Sequence, residues 1–164
     1  LEQILNGHEK KLKIKRKIYY LDGKIQEEIE EVITLKIQPG AETGTRLEFP
    51  RLGDKYPGRI PATLVFIVRE IEHSKFERKG ADIYHTVLIT ESESHNGLTT
   101  EIPTLEGDYL EFSYQYPIAF DDVHPFPQRG LPSSTNPKKR GDLLLRFEIM
   151  DDSRKGKLDR ITSK

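Results

Sequence analysis

The sequence predicts a mostly β protein made of two similar halves, with little helix. Three observations support this prediction. Apolar and polar residues alternate with a period of two along most of the candidate elements. Acidic-glycine pairs at Asp22-Gly23 and Glu106-Gly107 supply the turn chemistry of tight hairpins. The order strand, hairpin, strand, Pro/Gly-rich loop and apolar strand occurs in the first half and again in the second.

The first predicted strand has one apolar and one charged face. Leu12 and Ile14 occupy the apolar positions, and Arg16 interrupts them. The alternate positions carry a row of four lysines: Lys11, Lys13, Lys15 and Lys17. Since side chains two residues apart lie on the same face of a strand, the lysines recur at intervals of about 6.6–6.8 Å.

The rest of the first half consists of short strands. The strand that returns from the Asp22-Gly23 turn is predicted at residues 32–37, and a short strand follows through Leu47 and Phe49. Residues 64–68 form a nearly continuous apolar run. We expect both faces of this run to be covered, because such strands are typical of sheets buried on both sides.

The second half repeats this order, with predicted strands at 84–89, 98–104, 109–114 and 143–147. We therefore predict a first subdomain over residues 1–76 and a second over residues 77–150, followed by a polar tail over residues 151–164.

Composition excludes several classes of protein. The chain of 164 residues has no cysteine, which excludes disulfides and thiolate zinc sites. No apolar run approaches the roughly 18–20 residues of a membrane span, and no secretory signal opens the chain. A net charge of −1 and the lack of any nucleic-acid motif argue against nucleic acid as a partner. We expect a cytoplasmic protein with no cofactor and no membrane partner.

Two small constellations resemble catalytic or metal sites. Asp121-Asp122 and His124 lie together in a Pro-rich loop, and Glu91, Glu93 and His95 would share one face of a strand. We interpret both as solvated surface, because a metal site needs three or four convergent ligands and nothing places a nucleophile beside the second set. The sequence does not indicate an enzyme.

Each face of the first strand has two possible interpretations. Its lysines either protect a solvated strand edge or bind an extended acidic segment. Leu12 and Ile14 either belong to the core or lie beside an open edge where an extended peptide adds by main-chain hydrogen bonds. The pattern alone favours the protective edge and the core.

An ordered series of short motifs adds to this pattern. It comprises Lys10-Lys11-Leu12-Lys13-Ile14, Ile37-Gln38-Pro39-Gly40, Gly44-Thr45, Ile60-Pro61-Ala62, His73-Ser74-Lys75-Phe76, Pro103-Thr104-Leu105-Glu106-Gly107, Gly130-Leu131-Pro132 and Arg140-Gly141-Asp142-Leu143. From residue 1 to about residue 150 the series resembles the C-terminal substrate-binding region of DnaJ-type (forty-kilodalton heat-shock) co-chaperones. The absence of Cys-x-x-Cys repeats makes it similar to the class without a zinc-finger region.

This resemblance implies a fold of two tandem β-barrel-like or sandwich subdomains, and it reverses both preferences drawn from the pattern. It implies a groove for extended apolar peptides lined by Leu12, Ile14 and Phe66. It also implies that basic residues bind the acidic C-terminal tail of the seventy-kilodalton heat-shock chaperone. The matching basic residues are Lys10, Lys11 and Lys13.

The function expected from the resemblance is a non-enzymatic module that binds unfolded client polypeptides and the acidic tail of the partner chaperone. The alternative is a structural or scaffold module with a decayed groove, because Glu91 and His95 stand at apolar positions of a helix that is usual in the family. The J-domain signature His-Pro-Asp does not occur, since Phe126 follows His124-Pro125. We do not expect the chain alone to stimulate the partner's ATPase. Relatives form homodimers through a C-terminal helix, whose pattern is not evident in residues 151–164, so a homodimer is left open.

Overall fold

The computed structural model describes residues 1–115, 117–119 and 121–151. Its elements are α1 (Glu2–Asn6), β1 (His8–Tyr19), β2 (Ile25–Ile37), β3 (Arg46–Phe49), β4 (Leu64–Ile67), β5 (Glu77–Lys79), β6 (Asp82–Thr90), α2 (Glu91–Asn96), β7 (Leu98–Pro103), β8 (Tyr109–Tyr114), β9 (Val123–Phe126) and β10 (Leu143–Met150). The predicted mostly β class is confirmed. The sheets formed by the described residues are open, and none of them closes into a barrel.

β1 and β2 form a long antiparallel hairpin around the predicted Asp22-Gly23 turn, where Gly23 has a φ of +80° that favours glycine. β2 begins at Ile25, earlier than the predicted residue 32. The glutamate-rich stretch extends the strand because it lies opposite the lysines of β1, as in the pairs Lys15–Glu30 and Lys17–Glu28.

β3 and β4 form a separate two-stranded antiparallel sheet in which Leu47 lies opposite Phe66. The expectation that both faces of the second strand are covered is wrong, because Val65 and Ile67 are 38% and 61% exposed. Among the described residues, strand β4 has one neighbouring strand, and a small antiparallel sheet commonly buries only one of its faces.

The second half contains a four-stranded sheet in the order β5-β6-β10-β9. β10 pairs parallel with β6 and antiparallel with β9, so it is an interior strand of the sheet. Its inward residues Leu143, Leu145 and Phe147 are buried. β7 and β8 pair as the hairpin predicted around Glu106-Gly107.

The hydrophobic core lies mostly in the second half, where β6, β7, β8 and β10 supply most of the buried apolar side chains. Ile4 and Leu5 of α1 belong to this same cluster. The helix was not predicted from the sequence, because its five residues are too few to establish a helical period. In the first half, β2 contributes the buried residues Ile33 and Leu35.

The two halves meet at the turn around Gly40. The Gly40 N–H donates to the carbonyl of Ile4 at 2.8 Å, and Gly40 has a φ of +78°. A Cβ at this position would lie 2.4 Å from the carbonyl oxygen of Pro132, so only glycine fits. The Arg78 guanidinium donates to the carbonyls of Gly40 and Ala41 at 3.2 and 2.9 Å. The subdomain boundary at residues 76 and 77 stays a prediction.

The expectation that Glu91, Glu93 and His95 share a strand face is wrong, because they lie on α2. A capping box starts this helix. The Thr90 hydroxyl accepts from the backbone N–H of Glu93, and the Glu93 carboxylate accepts from the backbone N–H of Thr90. Of the predicted polar tail, only Asp151 is among the described residues. No helix in the described ranges is long and apolar enough to cross a membrane.

Candidate functional site

The outer edge of β1 is open along most of its length. At the distal end the N–H of Lys17 donates to the Asp54 carboxylate at 2.8 Å, and the carbonyl of Lys17 accepts from the Lys55 N–H at 2.8 Å. Both main-chain groups of Lys17 therefore point away from β2. The register between the strands is continuous back to His8. Because orientation alternates along an antiparallel strand, the N–H and C=O groups of Lys11, Lys13 and Lys15 also point outward. No backbone group of the described residues pairs with them there.

The apolar face beside this edge is half-buried. Leu12 and Ile14 are neighbours on one face of β1, and their cross-strand partners are Ile33 and Glu31. Neither side chain is sealed in the core. An extended chain added at the edge would place alternate side chains next to Leu12 and Ile14.

Phe66, the third predicted groove residue, lies on the other small sheet of the first half. It is half-buried on β4, and its ring makes an edge-to-face contact with Phe49 at a centroid distance of 5.7 Å. The structure thus brings Leu12 and Ile14 together on one strand and places Phe66 on a separate sheet. The assignment of all three to a groove stays a prediction.

The lysines of β1 fall into two groups according to what lies opposite them. Lys15 forms an ion pair with Glu30 at 3.3 Å, and Lys17 lies 4.0 Å from Glu28. Lys11 and Lys13 lie opposite Thr34 and Val32 of β2. Neither Lys11 nor Lys13 forms an ion pair with any described residue. The cross-strand register therefore leaves the charge of Lys11 and Lys13 available and offsets that of Lys15 and Lys17.

Lys10 differs from Lys11 and Lys13 in its orientation. It is an even-numbered position of β1, so its side chain is on the face of Leu12, and it lies opposite Leu35. Lys10 is exposed and forms no ion pair with a described residue. The three predicted tail-binding lysines consequently lie on both faces of the strand, at the end where its edge is open. Their role stays a prediction.

Arg16 closes the apolar face at the distal end. Its guanidinium donates to the Glu31 carboxylate at 3.1 Å and to the Arg51 carbonyl at 3.2 Å. Sequence reasoning registered Arg16 only as an interruption of the apolar pattern. Its partners are 15 and 35 residues away in the chain, so no local signal identified them.

An aromatic stack lies beside the closed end of the edge. The rings of Tyr19 and Tyr56 are parallel, with centroids 4.4 Å apart. The Tyr19 hydroxyl beside it raises the pKa of Tyr56. Together with the bridge between Ile18 and Lys55, the stack joins the hairpin to the loop after β3.

The other polar candidates have structural contacts. His124 packs edge-to-face on Phe112 at 4.9 Å, and Asp122 accepts the Ala119 N–H at 2.7 Å. The residues of the described ranges contain no group of three or more side chains placed to hold a metal ion.

Comparison with known proteins agrees with the motif series. The DnaJ C terminal domain family matches residues 1–150. The chain is 34% identical to DnaJ protein homolog 1 of Drosophila melanogaster, with 91% of this chain and 44% of that protein covered. It is 32% identical to DnaJ homolog subfamily B member 5 of Homo sapiens, with 91% and 43% covered. It is 30% identical to Protein SIS1 of Saccharomyces cerevisiae, with 97% and 46% covered.

The chain spans less than half the length of these relatives. The match nevertheless includes both halves of the fold and the open edge of β1. This chain belongs to the DnaJ C-terminal domain family, the co-chaperone family that its motif series resembles.

Proposed function

We propose that this chain is the client-binding region of a co-chaperone, which binds extended apolar segments of unfolded proteins and the acidic C-terminal tail of the seventy-kilodalton heat-shock chaperone. In this proposal it acts as a binding module, without catalysis and without a cofactor. The single observation that carries the proposal is the open edge of β1, where a lysine row flanks half-buried apolar side chains.

Strand addition explains how such a site accepts many sequences. The outward main-chain groups of Lys11, Lys13 and Lys15 offer hydrogen bonds that do not depend on the side chains of the peptide. The half-buried Leu12 and Ile14 then favour apolar side chains at alternate positions of the bound segment. Because few side chains become buried, we expect modest affinity.

The free lysines explain the preference for an acidic tail. Lys11 and Lys13 have neutral cross-strand neighbours, so binding an acidic peptide does not require breaking an existing ion pair. Exposed ion pairs weaken as salt screens them, with a Debye length of about 8 Å at physiological ionic strength. Binding of the acidic tail should therefore fall as salt rises.

The tail assignment is tested with a labelled peptide ending in Glu-Glu-Val-Asp and the double variant Lys11→Gln/Lys13→Gln. Two exposed contacts of about 0.2–1 kcal/mol each predict a loss of about 2- to 30-fold in affinity by fluorescence anisotropy. The control Lys138→Gln/Lys139→Gln removes the same charge from a loop of the second half and should bind as wild type. Equal affinities for both variants would refute the tail assignment.

The client assignment is tested by a pair of neighbouring residues on opposite faces of β4. Phe66→Ser should reduce both peptide binding and the suppression of aggregation of an unfolded reporter protein. Ile67→Ser is the matched control, because Ile67 is 61% exposed on the other face. Circular dichroism verifies that both variants are folded. If Phe66→Ser unfolds the chain, the client assignment is tested with Leu12→Ser and the same readouts. Full activity of a folded Phe66→Ser or Leu12→Ser variant contradicts the groove assignment.

The alternative proposal is a scaffold module with a decayed groove. It predicts that neither the acidic peptide nor extended apolar peptides bind measurably to the wild-type chain. The same titrations therefore separate the two proposals.

A further inference from the structure

Two recesses meet at the junction between the halves. The first is a cavity of about 280 Å³. Its wall is mainly apolar and is formed by Ile37, Pro39, Ala41, Leu47 and Val68. Glu42, Thr45 and Ser134 are among the polar residues that line it. The volume is just below the roughly 300–1,000 Å³ of small-molecule sites and suits one large apolar side chain.

The cavity is held by the Gly40 turn and by the second half. Gly40 packs directly against Pro132, which places Ala41 in the cavity wall. The Ser134 hydroxyl donates to the Glu42 carboxylate at 2.7 Å across the rim. The Ala41 side chain is small, so it leaves the space beside it unfilled.

The second recess is acidic and shares Glu42 with the first. It has a volume of about 460 Å³ and is lined by Glu42, Thr43, Glu70, Glu72, Arg78 and Gly80. Glu70 is offset by Arg78, whose guanidinium donates to it at 3.0 Å. Glu42 and Glu72 are exposed and form no ion pair with any described residue. The recess therefore carries an uncompensated negative charge beside an apolar cavity.

We propose that this junction is a second peptide site, which binds a segment in which a large apolar residue is next to lysine or arginine. The apolar side chain enters the cavity beside Ala41. The cation lies in the acidic recess, between Glu42 and Glu72. The charge preference is opposite to that of the lysine row on β1, so the two sites select different segments. This inference is independent of the function proposed for β1.

The experiment uses a labelled peptide with the central sequence Ser-Phe-Arg-Lys-Ser and measures its affinity by anisotropy. Replacing Phe by Ala, or Arg-Lys by Glu-Glu, should each lower the affinity at least about fivefold. In the protein, Ala41→Trp fills the cavity and should lower the affinity at least about tenfold. Glu42→Gln/Glu72→Gln should lower it about three- to tenfold while the amide oxygen at position 42 still accepts from Ser134.

The matched control is Lys11→Gln/Lys13→Gln, which should bind the basic peptide as wild type does or slightly more tightly. Ala41→Trp and Glu42→Gln/Glu72→Gln should in turn bind the acidic Glu-Glu-Val-Asp peptide unchanged. If Ala41→Trp unfolds the chain, the proposal is tested with Glu42→Gln/Glu72→Gln. Both carboxylates are exposed, so we expect this variant to fold. Unchanged binding of the basic peptide by this double variant, or loss of that binding in Lys11→Gln/Lys13→Gln, would overturn the proposal. No binding of the basic peptide to the wild-type chain would also overturn it, whatever the acidic peptide does.

Discussion

Replacing Lys13 by proline tests whether a bound segment adds to the edge of β1. Proline has no N–H, and its ring occupies the direction in which that N–H pointed. At Lys13 this direction is the open edge, because the main-chain groups of β1 that face β2 belong to the even-numbered residues. Lys13→Pro therefore removes a donor from the proposed site and leaves the β1–β2 ladder hydrogen-bonded. Proline is tolerated in edge strands for this reason.

The size of the effect follows from the number of groups at the edge. Lys11, Lys13 and Lys15 together present three N–H and three C=O groups to an incoming strand. Losing one hydrogen bond costs about 0.5–1.5 kcal/mol, which corresponds to about 2- to 12-fold in affinity. The ring also obstructs the approach of the added strand, so we expect a loss of at least about fivefold relative to Lys13→Gln. The glutamine variant removes the same charge and retains the N–H.

The assay is anisotropy with an extended peptide that carries alternate apolar residues, combined with urea denaturation of each variant. Ile14→Pro is the structural control, because its N–H faces Glu31 across the ladder. That variant should lose considerably more stability than Lys13→Pro, because it removes a ladder hydrogen bond within the hairpin. If folded Lys13→Pro binds as well as Lys13→Gln, the edge is not the site. If both proline variants lose equal stability, the assignment of outward groups is wrong.

Three further predictions concern stability. A backbone hydrogen bond, assisted by His73, lowers the pKa of Glu2 to about 2. The Glu2 carboxylate therefore stabilises the fold above about pH 4.5, and this contribution is lost as the pH falls towards 2. The stability difference between wild type and Glu2→Gln in urea should therefore shrink across that window; a constant difference contradicts the assignment. Leu143→Ala should lower the free energy of unfolding by about 2–5 kcal/mol, and Leu12→Ala should lower it clearly less, because Leu143 is fully buried and Leu12 is half-buried. Equal losses for the two variants in chemical denaturation would place Leu12 in the core. Arg78→Gln should lower the stability by about 1–3 kcal/mol, because it breaks charged hydrogen bonds at the junction. Thermal unfolding measures this loss, and an unchanged midpoint would show that these bonds contribute nothing.

Local patterns predicted the elements that have a clear period or turn. The alternation around Leu12 and Ile14 identified β1, and the Asp22-Gly23 and Glu106-Gly107 pairs identified two hairpins. The same reasoning failed where the outcome depended on neighbours. The apolar run of β4 predicted burial on both faces, but Ile67 is exposed, because β4 has a strand on one side alone within the part of the chain that the structure describes.

Some features of the candidate site could likewise be predicted from the sequence, and others depended on the tertiary structure. The lysine row and the apolar face of β1 are properties of its own residues, and the order of motifs along the chain sufficed to identify the family. Which lysines are free depended on the register with β2, which places Val32 opposite Lys13 and Glu30 opposite Lys15. The open edge, the parallel pairing of β10 with β6 and the cavity beside Ala41 likewise arise from contacts between distant segments. Periodicity and turn chemistry act over a few residues and can be inferred from the chain alone. Register, strand order and cavities are set by the packing of the whole molecule, so only the tertiary structure decided them.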